Sequence, residues 1–390
     1  MIVWLHNLLR WWVRLRLPFT AWRVHVQVLR GTARTSGQEV RLLAAGLPRW
    51  SAQVGEYFFA GAPVVEKSTH VPVWSLQRHL DQWQAAADLT LVGIDRISAR
   101  LFLARNYLAM PPLVSYWAAV PESLPAYLRQ RSSVASDFRR VKKRDYASHL
   151  STAAGDLDLF YEHYFKPYIL GRHAKNARLT PRWMLRLVFR SGAIQWLTLN
   201  GERVAADLVT KQGRDYHLVV TGIRDGRQDL LRQGALAALY VHSLDHARQF
   251  GCTRILLGSS RAFLHDGLTR YKGKWMDGLT QDDGHITANH VLLLRWNRLA
   301  GPVADFLSQS GLIHHDQSGY SALWAFPSHL PLTAENLQRE YHVLQLKGLH
   351  RFRILLPAPA PPGFTCPPEL RLIELAAAEK VGAGGINGLG

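Results

Sequence analysis

Residues 193–257 carry the pattern that most restricts what this chain can fold into. The stretch begins with three short apolar runs separated by turn-forming residues: 193–199, 204–209 and 216–220. Asn200-Gly201 lies between the first two runs, and both residues tolerate the positive φ of a tight hairpin turn. The pattern therefore predicts a three-stranded antiparallel meander.

A helix and a further strand follow the meander. The helix is indicated by apolar residues at helical spacing: Leu236, Tyr240, Leu244 and Ala247. Gly251 ends this helix as a left-handed cap. Residues 254–257 then predict a buried strand parallel to the strand before the helix, as in a β–α–β crossover. This order predicts an α/β fold, with Gly258-Ser259-Ser260 at the sheet edge where ligands favour binding.

Composition excludes several classes of protein. At ~150 residues per domain, a chain of 390 residues is expected to hold two or three folded units. With 47% hydrophobic and 19% charged residues, it is neither a wholly disordered protein nor a coiled-coil rod. Its two cysteines, Cys252 and Cys366, exclude a disulfide scaffold and a cysteine-rich zinc site, and they fit a reducing cytoplasm. No motif predicts a metal.

The net charge of +18 predicts a polyanionic partner. Nucleic acid, anionic lipid, an acidic carrier protein and a phosphorylated cofactor all meet that description. Charge alone does not choose among them.

The first 38 residues are basic, with six arginines and no acidic residue. A helix over residues 2–17 would place Trp4, Leu8, Trp11 and Leu15 on one stripe, with Arg10 and Arg14 on another. Such a helix suits the interfacial layer of an anionic membrane, or it packs on its own domain with the arginines in water. The apolar run is too interrupted for a secretory signal or a transmembrane helix.

Three further regions have local signals. Residues 89–93 and 98–104 predict strands, and residues 122–147 predict a helix. That helix holds the densest basic cluster of the chain: Arg129, Arg131, Arg139, Arg140, Lys142, Lys143 and Arg144. The cluster is either a polyanion-binding surface or a solvated helix face. Beyond residue 300, a helix at 304–312 and a strand at 320–326 precede a glycine-rich tail expected to be disordered.

The segment 258–275 resembles the C-terminal signature of the FemAB-like branch of the GNAT acyltransferases. In that signature a strand ending in glycine and serine precedes a short loop and an aromatic-Lys-x-x-aromatic element, here Tyr271-Lys272-Gly273-Lys274-Trp275. The order of meander, helix and strand matches as well, and the element 133–144 resembles the family's basic helix before the second lobe. The resemblance covers roughly residues 120–280. The usual GNAT cofactor loop begins with Gln or Arg three places before a glycine. In this chain the residue three places before Gly234 is Leu231, so the leading residue of that loop is absent.

The resemblance implies a GNAT-like mixed sheet flanked by helices, in two GNAT-like lobes in tandem with a C-terminal extension. We therefore expect five parts: a basic amphipathic N-terminal segment (1–38), an N-terminal GNAT-like lobe (39–150), a C-terminal acyltransferase lobe (151–299), a C-terminal extension (300–380) and a disordered tail (381–390).

Candidate catalytic residues follow from the chemistry of acyl transfer to an amine. Lys272 could stabilise the tetrahedral oxyanion or hold a phosphate of the donor. Asp207 lies in an apolar run, where burial would raise its pKa towards that of a useful base, and His217 is a second candidate base. Either of these two could instead be a satisfied structural polar group. Donor or substrate binding is expected from Tyr271, Lys274, Trp275, Ser259, Ser260, Arg261, Arg139, Arg140 and Lys143.

The resemblance implies a cytoplasmic N-acyltransferase that moves an acyl or aminoacyl group to an amine acceptor. Acyl-coenzyme A, acyl carrier protein and aminoacyl-tRNA are the donors it allows, and the charge favours the last two. An envelope or lipid-linked precursor at the inner face of an anionic membrane would explain the basic N-terminal segment. The alternative is a non-catalytic module that binds nucleic acid or an anionic membrane through residues 129–144 and the N-terminal helix.

Overall fold

A computed structural model of the chain describes residues 22–104, 106–125, 127, 131–173, 179–280, 289–299, 301–316 and 319–378. Within these ranges the contacts divide the chain into two compact units. The first takes its residues from 1–114, 260–270 and 281–390, and the second from 115–259 and 271–280.

The strands, in chain order, are β1 (Arg23–Thr32), β2 (Glu39–Gly46), β3 (Val64–Pro72), β4 (Leu89–Asp95), β5 (Leu108–Met110), β6 (Leu113–Ala119), β7 (Tyr146–Ser151), β8 (Gly192–Leu199), β9 (Glu202–Gln212), β10 (Asp215–Ile223), β11 (Arg254–Arg261), β12 (Gly278–Thr280), β13 (His290–Trp296), β14 (Leu312–Asp316), β15 (Gly319–Ala325), β16 (Arg351–Leu356) and β17 (Leu370–Glu374).

The α-helices, in chain order, are α1 (Pro48–Phe58), α2 (Leu76–Trp83), α3 (Arg96–Phe102), α4 (Ser132–Lys142), α5 (Asp156–Phe160), α6 (Lys166–His173), α7 (Arg182–Phe189), α8 (Gln228–Gln233), α9 (Ala235–Gln249), α10 (Gly267–Gly273), α11 (Pro302–Ser310) and α12 (Ala334–Leu344). A π-helical turn, Tyr161–Phe165, joins α5 to α6.

The first unit contains two mixed sheets. One has six strands in the order β3-β1-β2-β4-β13-β5, in which β2 and β4 are parallel and the other recorded neighbours antiparallel. Val24, Val26 and Val28 of β1 alternate into its core, as expected for a strand with one buried face. The second sheet has four strands in the order β14-β15-β16-β17.

The second unit is built on a seven-stranded sheet in the order β12-β6-β11-β10-β9-β8-β7. The predicted meander is confirmed as β8, β9 and β10, with Asn200 and Gly201 at φ 52° and 82° in the first turn. The predicted helix is α9, and β11 runs parallel to β10. Helix α9 packs on one face of the sheet, and α5 and α7 pack on the other, around Trp196 and Leu208.

Two local predictions were wrong. Residues 98–104 were expected to form a strand, but most of them lie in α3, because the Asp95 carboxylate caps the helix by accepting from the Ser98 N–H at 2.8 Å. The helix expected over 122–147 is shorter at its end: α4 stops at Lys142, and Tyr146 begins β7, which pairs with β8. The helix and strand predicted beyond residue 300 are confirmed as α11 and β15.

The fold is therefore of the mixed α/β class, with mixed sheets flanked by helices, as the sequence predicted. The expected helix at 2–17 and the expected disordered tail at 381–390 lie outside the described residues. None of the helices within the described ranges combines the length and the apolar character needed to cross a membrane.

Candidate active site

Strands β10 and β11 are paired only where they begin. Their parallel register joins Asp215 to Arg254 and ends with His217 opposite Leu256. Directly after this point, the register of β10 against β9 is interrupted between Leu218 and Val220. The backbone of β11 passes through Gly258 at φ +71°. Beyond His217, the backbone N–H and C=O groups of β10 and β11 therefore form no ladder with each other. An opening of this kind between two strands is suited to binding a ligand.

The side chain of Lys272 is held at this place. Lys272 lies on α10 and is 6% exposed. Its Nζ donates a hydrogen bond of 2.9 Å to the carbonyl oxygen of Ser259, on β11. The same ammonium lies 5.5 Å from the ring centroid of the buried Tyr116. A buried cation is therefore fixed beside the diverging strands.

Asp207 lies on β9 and is fully buried. It stands opposite Gln195 on β8 and Thr221 on β10 in the strand register. Burial raises the pKa of Asp207 to about 7, and the Thr221 hydroxyl and the Lys272 charge offset part of that rise. Such a carboxyl can exchange a proton near neutral pH.

Further polar side chains line the same face of the sheet, beneath α9. The buried Gln195 accepts from the Ser243 hydroxyl at 2.9 Å and donates to the Leu239 carbonyl at 3.3 Å. The Tyr216 hydroxyl also donates to Gln195 Oε1, at 3.4 Å. Sequence reasoning missed Gln195, although a glutamine inside an otherwise apolar strand is a signal of the kind that identified Asp207.

The aromatic residues on either side of Lys272 pack around Tyr240 of α9. The Trp275 ring is 5.4 Å from that of Tyr240 and nearly perpendicular to it, and the Tyr271 ring is 5.7 Å away. Trp275 is 1% exposed, and its carbonyl oxygen accepts from the Tyr127 hydroxyl at 2.8 Å. Burial raises the pKa of the Tyr271 hydroxyl well above its usual range. These rings place an apolar wall near Lys272.

Helix α4 is attached to the same element through Asp137. The Asp137 carboxylate is nearly buried and lies 3.7 Å from Lys274 Nζ and 3.6 Å from Arg140 Nη1. The Ser133 hydroxyl donates to the Lys274 carbonyl at 3.2 Å. The stem of Arg140 lies against Gly234, the residue before α9, where a built Cβ would be 3.1 Å from Arg140 Cδ. The structure thus brings Lys274 and Arg140 together at the start of α9.

Arg139 and Lys143 occupy exposed positions on the outer side of α4. They lie four residues apart, so they share one side of the helical turn, as predicted. Both cations therefore face solvent.

Three other candidates have surroundings of their own. His217 stands opposite Thr210 in the register, and therefore on the face of the sheet away from Asp207. Ser260 and Arg261 belong to the first unit. There the Ser260 and Thr269 hydroxyls are 2.7 Å apart, and Arg261 forms an ion pair with Glu56. Ser259 contributes its main-chain carbonyl oxygen.

Among the residues that the structure describes, no group of three or more His, Cys, Asp or Glu side chains could hold a metal ion.

Comparison with known proteins gives structural likenesses only. No protein-family model matches the chain, and no curated protein matches it. The structure of L-PGS from Bacillus licheniformis is similar at 13% identity and a TM-score of 0.33, covering 71% of this chain and 86% of that one. FemX is similar at 10% identity and a TM-score of 0.36, covering 68% and 83%.

A GCN5-related N-acetyltransferase from Sphaerobacter thermophilus is also similar, at 13% identity and a TM-score of 0.31, covering 65% and 71% of the two chains. All three TM-scores lie below 0.5.

Proposed function

We propose that the chain is an N-acyltransferase that moves an acyl or aminoacyl group from an activated donor onto an amine. The observation that carries the proposal is the position of Lys272. Its buried ammonium lies where β10 and β11 diverge, within electrostatic reach of a buried carboxyl whose pKa is about 7. The resemblance of the 258–275 segment to FemAB-like acyltransferases points to the same chemistry.

The Lys272 ammonium would stabilise the charge that develops during transfer. The amine nitrogen attacks the donor carbonyl carbon, a C–N bond forms, and the carbonyl oxygen becomes an oxyanion. The Lys272 ammonium, positioned by its hydrogen bond to the Ser259 carbonyl, would donate an N–H to this oxyanion when the donor is bound. A fixed donor of this kind typically contributes about 10²- to 10³-fold in rate.

The Asp207 carboxylate would receive the proton that the attacking amine loses. When the tetrahedral intermediate collapses, the bond from carbon to the donor's sulfur or oxygen breaks, and that atom takes the electron pair. The proton held by Asp207 then neutralises the leaving thiolate or alkoxide. A carboxyl with a pKa of about 7 suits both steps, since it can accept and release a proton near neutral pH.

The neighbouring residues would bind the donor. All three candidate donors, acyl-coenzyme A, acyl carrier protein and aminoacyl-tRNA, carry phosphate groups. Arg140 and Lys274 lie at the start of α9, and Arg139 and Lys143 extend the positive surface along α4. The rings of Tyr271 and Trp275 would exclude water, which strengthens the charge interactions of the site. The acceptor we propose is an amine of an envelope or lipid-linked precursor.

A panel of donors tests the proposal by thermal unfolding at low salt. It contains acetyl-coenzyme A, a long-chain acyl-coenzyme A, an acylated carrier protein and bulk aminoacyl-tRNA, each with wild type and Lys272→Ala. A ligand at about 100 times its Kd stabilises the native state by about 2.7 kcal/mol. We expect one donor to raise the Tm of the wild type and to raise that of Lys272→Ala less. No shift from any donor would contradict the proposal.

The exposed cations of α4 favour one alternative function, a non-catalytic module that binds nucleic acid. In that case tRNA would raise the Tm of wild type and Lys272→Ala equally. High salt would then abolish both shifts, because binding to many phosphates releases many counterions.

A further inference from the structure

The first unit exposes a group of large apolar side chains at one end of its six-stranded sheet. They are Trp22, Trp74, Ile97 and Leu101, exposed by 58%, 57%, 55% and 67%. The rings of Trp22 and Trp74 meet edge to face at 6.0 Å, and the Val73 N–H donates to the Trp22 carbonyl at 3.1 Å. The short 3₁₀ turn Val73–Ser75 that carries Trp74 contacts helix α3, which carries Ile97 and Leu101.

Four arginines stand within four residues of these apolar side chains in sequence, all at exposed positions: Arg23, Arg78, Arg96 and Arg100. Asp95, the last residue of β4, is buried and caps α3. Asp81, one turn beyond Arg78 on α2, is ion-paired with Arg295. The surface formed by these four apolar side chains and four arginines, which we call the tryptophan–arginine surface, therefore presents apolar groups and positive charge together.

Neither property is required by the fold. Ile97 and Leu101 are four residues apart on α3 and form an outward stripe, while Ser98 is buried and Ala99 and Phe102 pack against the core. Clustered exposed apolar groups of this kind usually mark an interaction surface. Tryptophan is enriched at the level of lipid headgroups, and arginine near a membrane surface is attracted to anionic lipid.

The chain sequence before this surface has the same character. Residues 1–21 run directly into Trp22 and contain Arg10, Arg14 and Arg16 with three further tryptophans, and no acidic residue. Stable peripheral binding generally needs two signals, such as an apolar contact and a basic patch. The tryptophan–arginine surface supplies both.

We propose that the tryptophan–arginine surface rests on an anionic membrane, with Trp22, Trp74 and Leu101 in the headgroup layer and the arginines against lipid phosphates. This inference does not depend on acyl transfer. Membrane binding is measured without donor or acceptor, so a failure to bind would leave the proposed function untouched.

The test is co-sedimentation of the full chain with vesicles of phosphatidylcholine alone, or of equal parts phosphatidylcholine and phosphatidylglycerol. One variant, W74A/L101A, removes apolar groups, and another, R96E/R100E, reverses charge. Trp183→Ala is the apolar control, because Trp183 is 60% exposed on α7 of the second unit. R351E/R371E is the charge control, with two exposed arginines in the four-stranded sheet. Retained Tm shows that each variant is folded.

Wild type and both controls are expected to sediment with the phosphatidylglycerol vesicles and not with phosphatidylcholine alone. Each surface variant should lower the partition coefficient roughly tenfold or more, since one arginine near an anionic surface is worth about fivefold. Equal binding by surface variants and controls would overturn the proposal, as would the absence of binding to either vesicle. A full chain carrying R10E/R14E/R16E is included. Loss of binding in that variant alone would assign binding to residues 1–21 and also overturn the proposal.

Discussion

The Lys272 ammonium and the Ser259 carbonyl oxygen are joined by a hydrogen bond of 2.9 Å across 13 positions of sequence. The bond ties α10 to the carboxyl-terminal part of β11, so a side chain with four rotatable bonds is held in one place. A charge fixed before the reaction stabilises a transition state better than one that must be reoriented. The chemistry that we propose depends on this fixed position.

Substituting Gly258 should disturb Lys272 without removing it. Gly258 has φ +71°, and a built Cβ would lie 3.3 Å from the Leu218 carbonyl oxygen and 3.5 Å from Lys272 Nζ. We expect Gly258→Ala to lower the free energy of unfolding by about 1 to 2 kcal/mol through its left-handed conformation. It should also lower the rate of acyl transfer, because relieving the close contact with the Leu218 carbonyl oxygen would shift the strand segment that holds Lys272 through Ser259. Denaturant unfolding and single-turnover kinetics measure the two effects.

Gly201→Ala is the matched control for this variant. Gly201 has φ +82°, and a Cβ there would meet no atom within 4 Å. It should share the loss of stability but retain the rate. Equal rates in the two glycine variants would contradict the assigned position of Lys272.

The stability of the protein should depend on pH through Asp207. Burial raises the folded-state pKa of Asp207 to about 7 from its ordinary value of 3.8. Between these values the folded chain keeps a proton that the unfolded chain releases. The resulting stabilisation is full below about pH 4, declines as the pH rises and is lost above about pH 7, in total on the order of 4 kcal/mol.

Asp207→Asn removes this titration, so its unfolding free energy should lack that decline between pH 4 and pH 7. Urea unfolding of wild type and variant across this range measures the difference. Parallel pH profiles would show that the Asp207 pKa is not raised.

The rate of acyl transfer should rise with pH through about 7, because Asp207 must be ionised to accept the proton of the amine. Asp207→Asn should abolish this limb of the profile and slow transfer by about 10²- to 10⁴-fold. His217→Asn is the comparison, since His217 lies on the other face of the sheet and should change neither quantity. A loss of the limb in His217→Asn instead would assign the base to His217.

Charge reversal on α4 should weaken donor binding, and its salt dependence should identify the class of donor. If the donor is aminoacyl-tRNA, R139E/K143E should weaken binding and flatten the slope of log Kd against log salt by about one unit per lost phosphate contact. R351E/R371E, with the same change in net charge, is the control. Unchanged donor binding in R139E/K143E would remove α4 from the donor site.

Much of the second unit could be predicted from the sequence because its signals are local. The Asn200-Gly201 turn, the period of the strands and the glycine after α9 each act within a few residues. Asp207 stood out for a similar reason, as a charge inside an apolar run. The predicted boundary at residue 150 falls near the end of β7, inside the seven-stranded sheet.

Other features depended on contacts that are distant in sequence or on competing local signals. The apolar run 98–104 could have been a strand, but the Asp95 cap starts a helix there. Which face His217 takes depends on the register with β9, including the interruption after Leu218. Arg261 is engaged by Glu56, 205 positions earlier, and no sequence pattern indicates such a pair.

The most direct test of the central claim is the single-turnover rate of acyl transfer with the donor that stabilises the protein, for wild type and Lys272→Met. Lys166→Met is the control, because Lys166 is a partly exposed lysine on α6 that forms an ion pair with Glu162. With folding verified by Tm, we predict that Lys272→Met lowers the rate at saturating donor at least about 100-fold, while Lys166→Met retains it. A folded Lys272→Met protein that transfers the acyl group at the rate of the wild type would contradict the account.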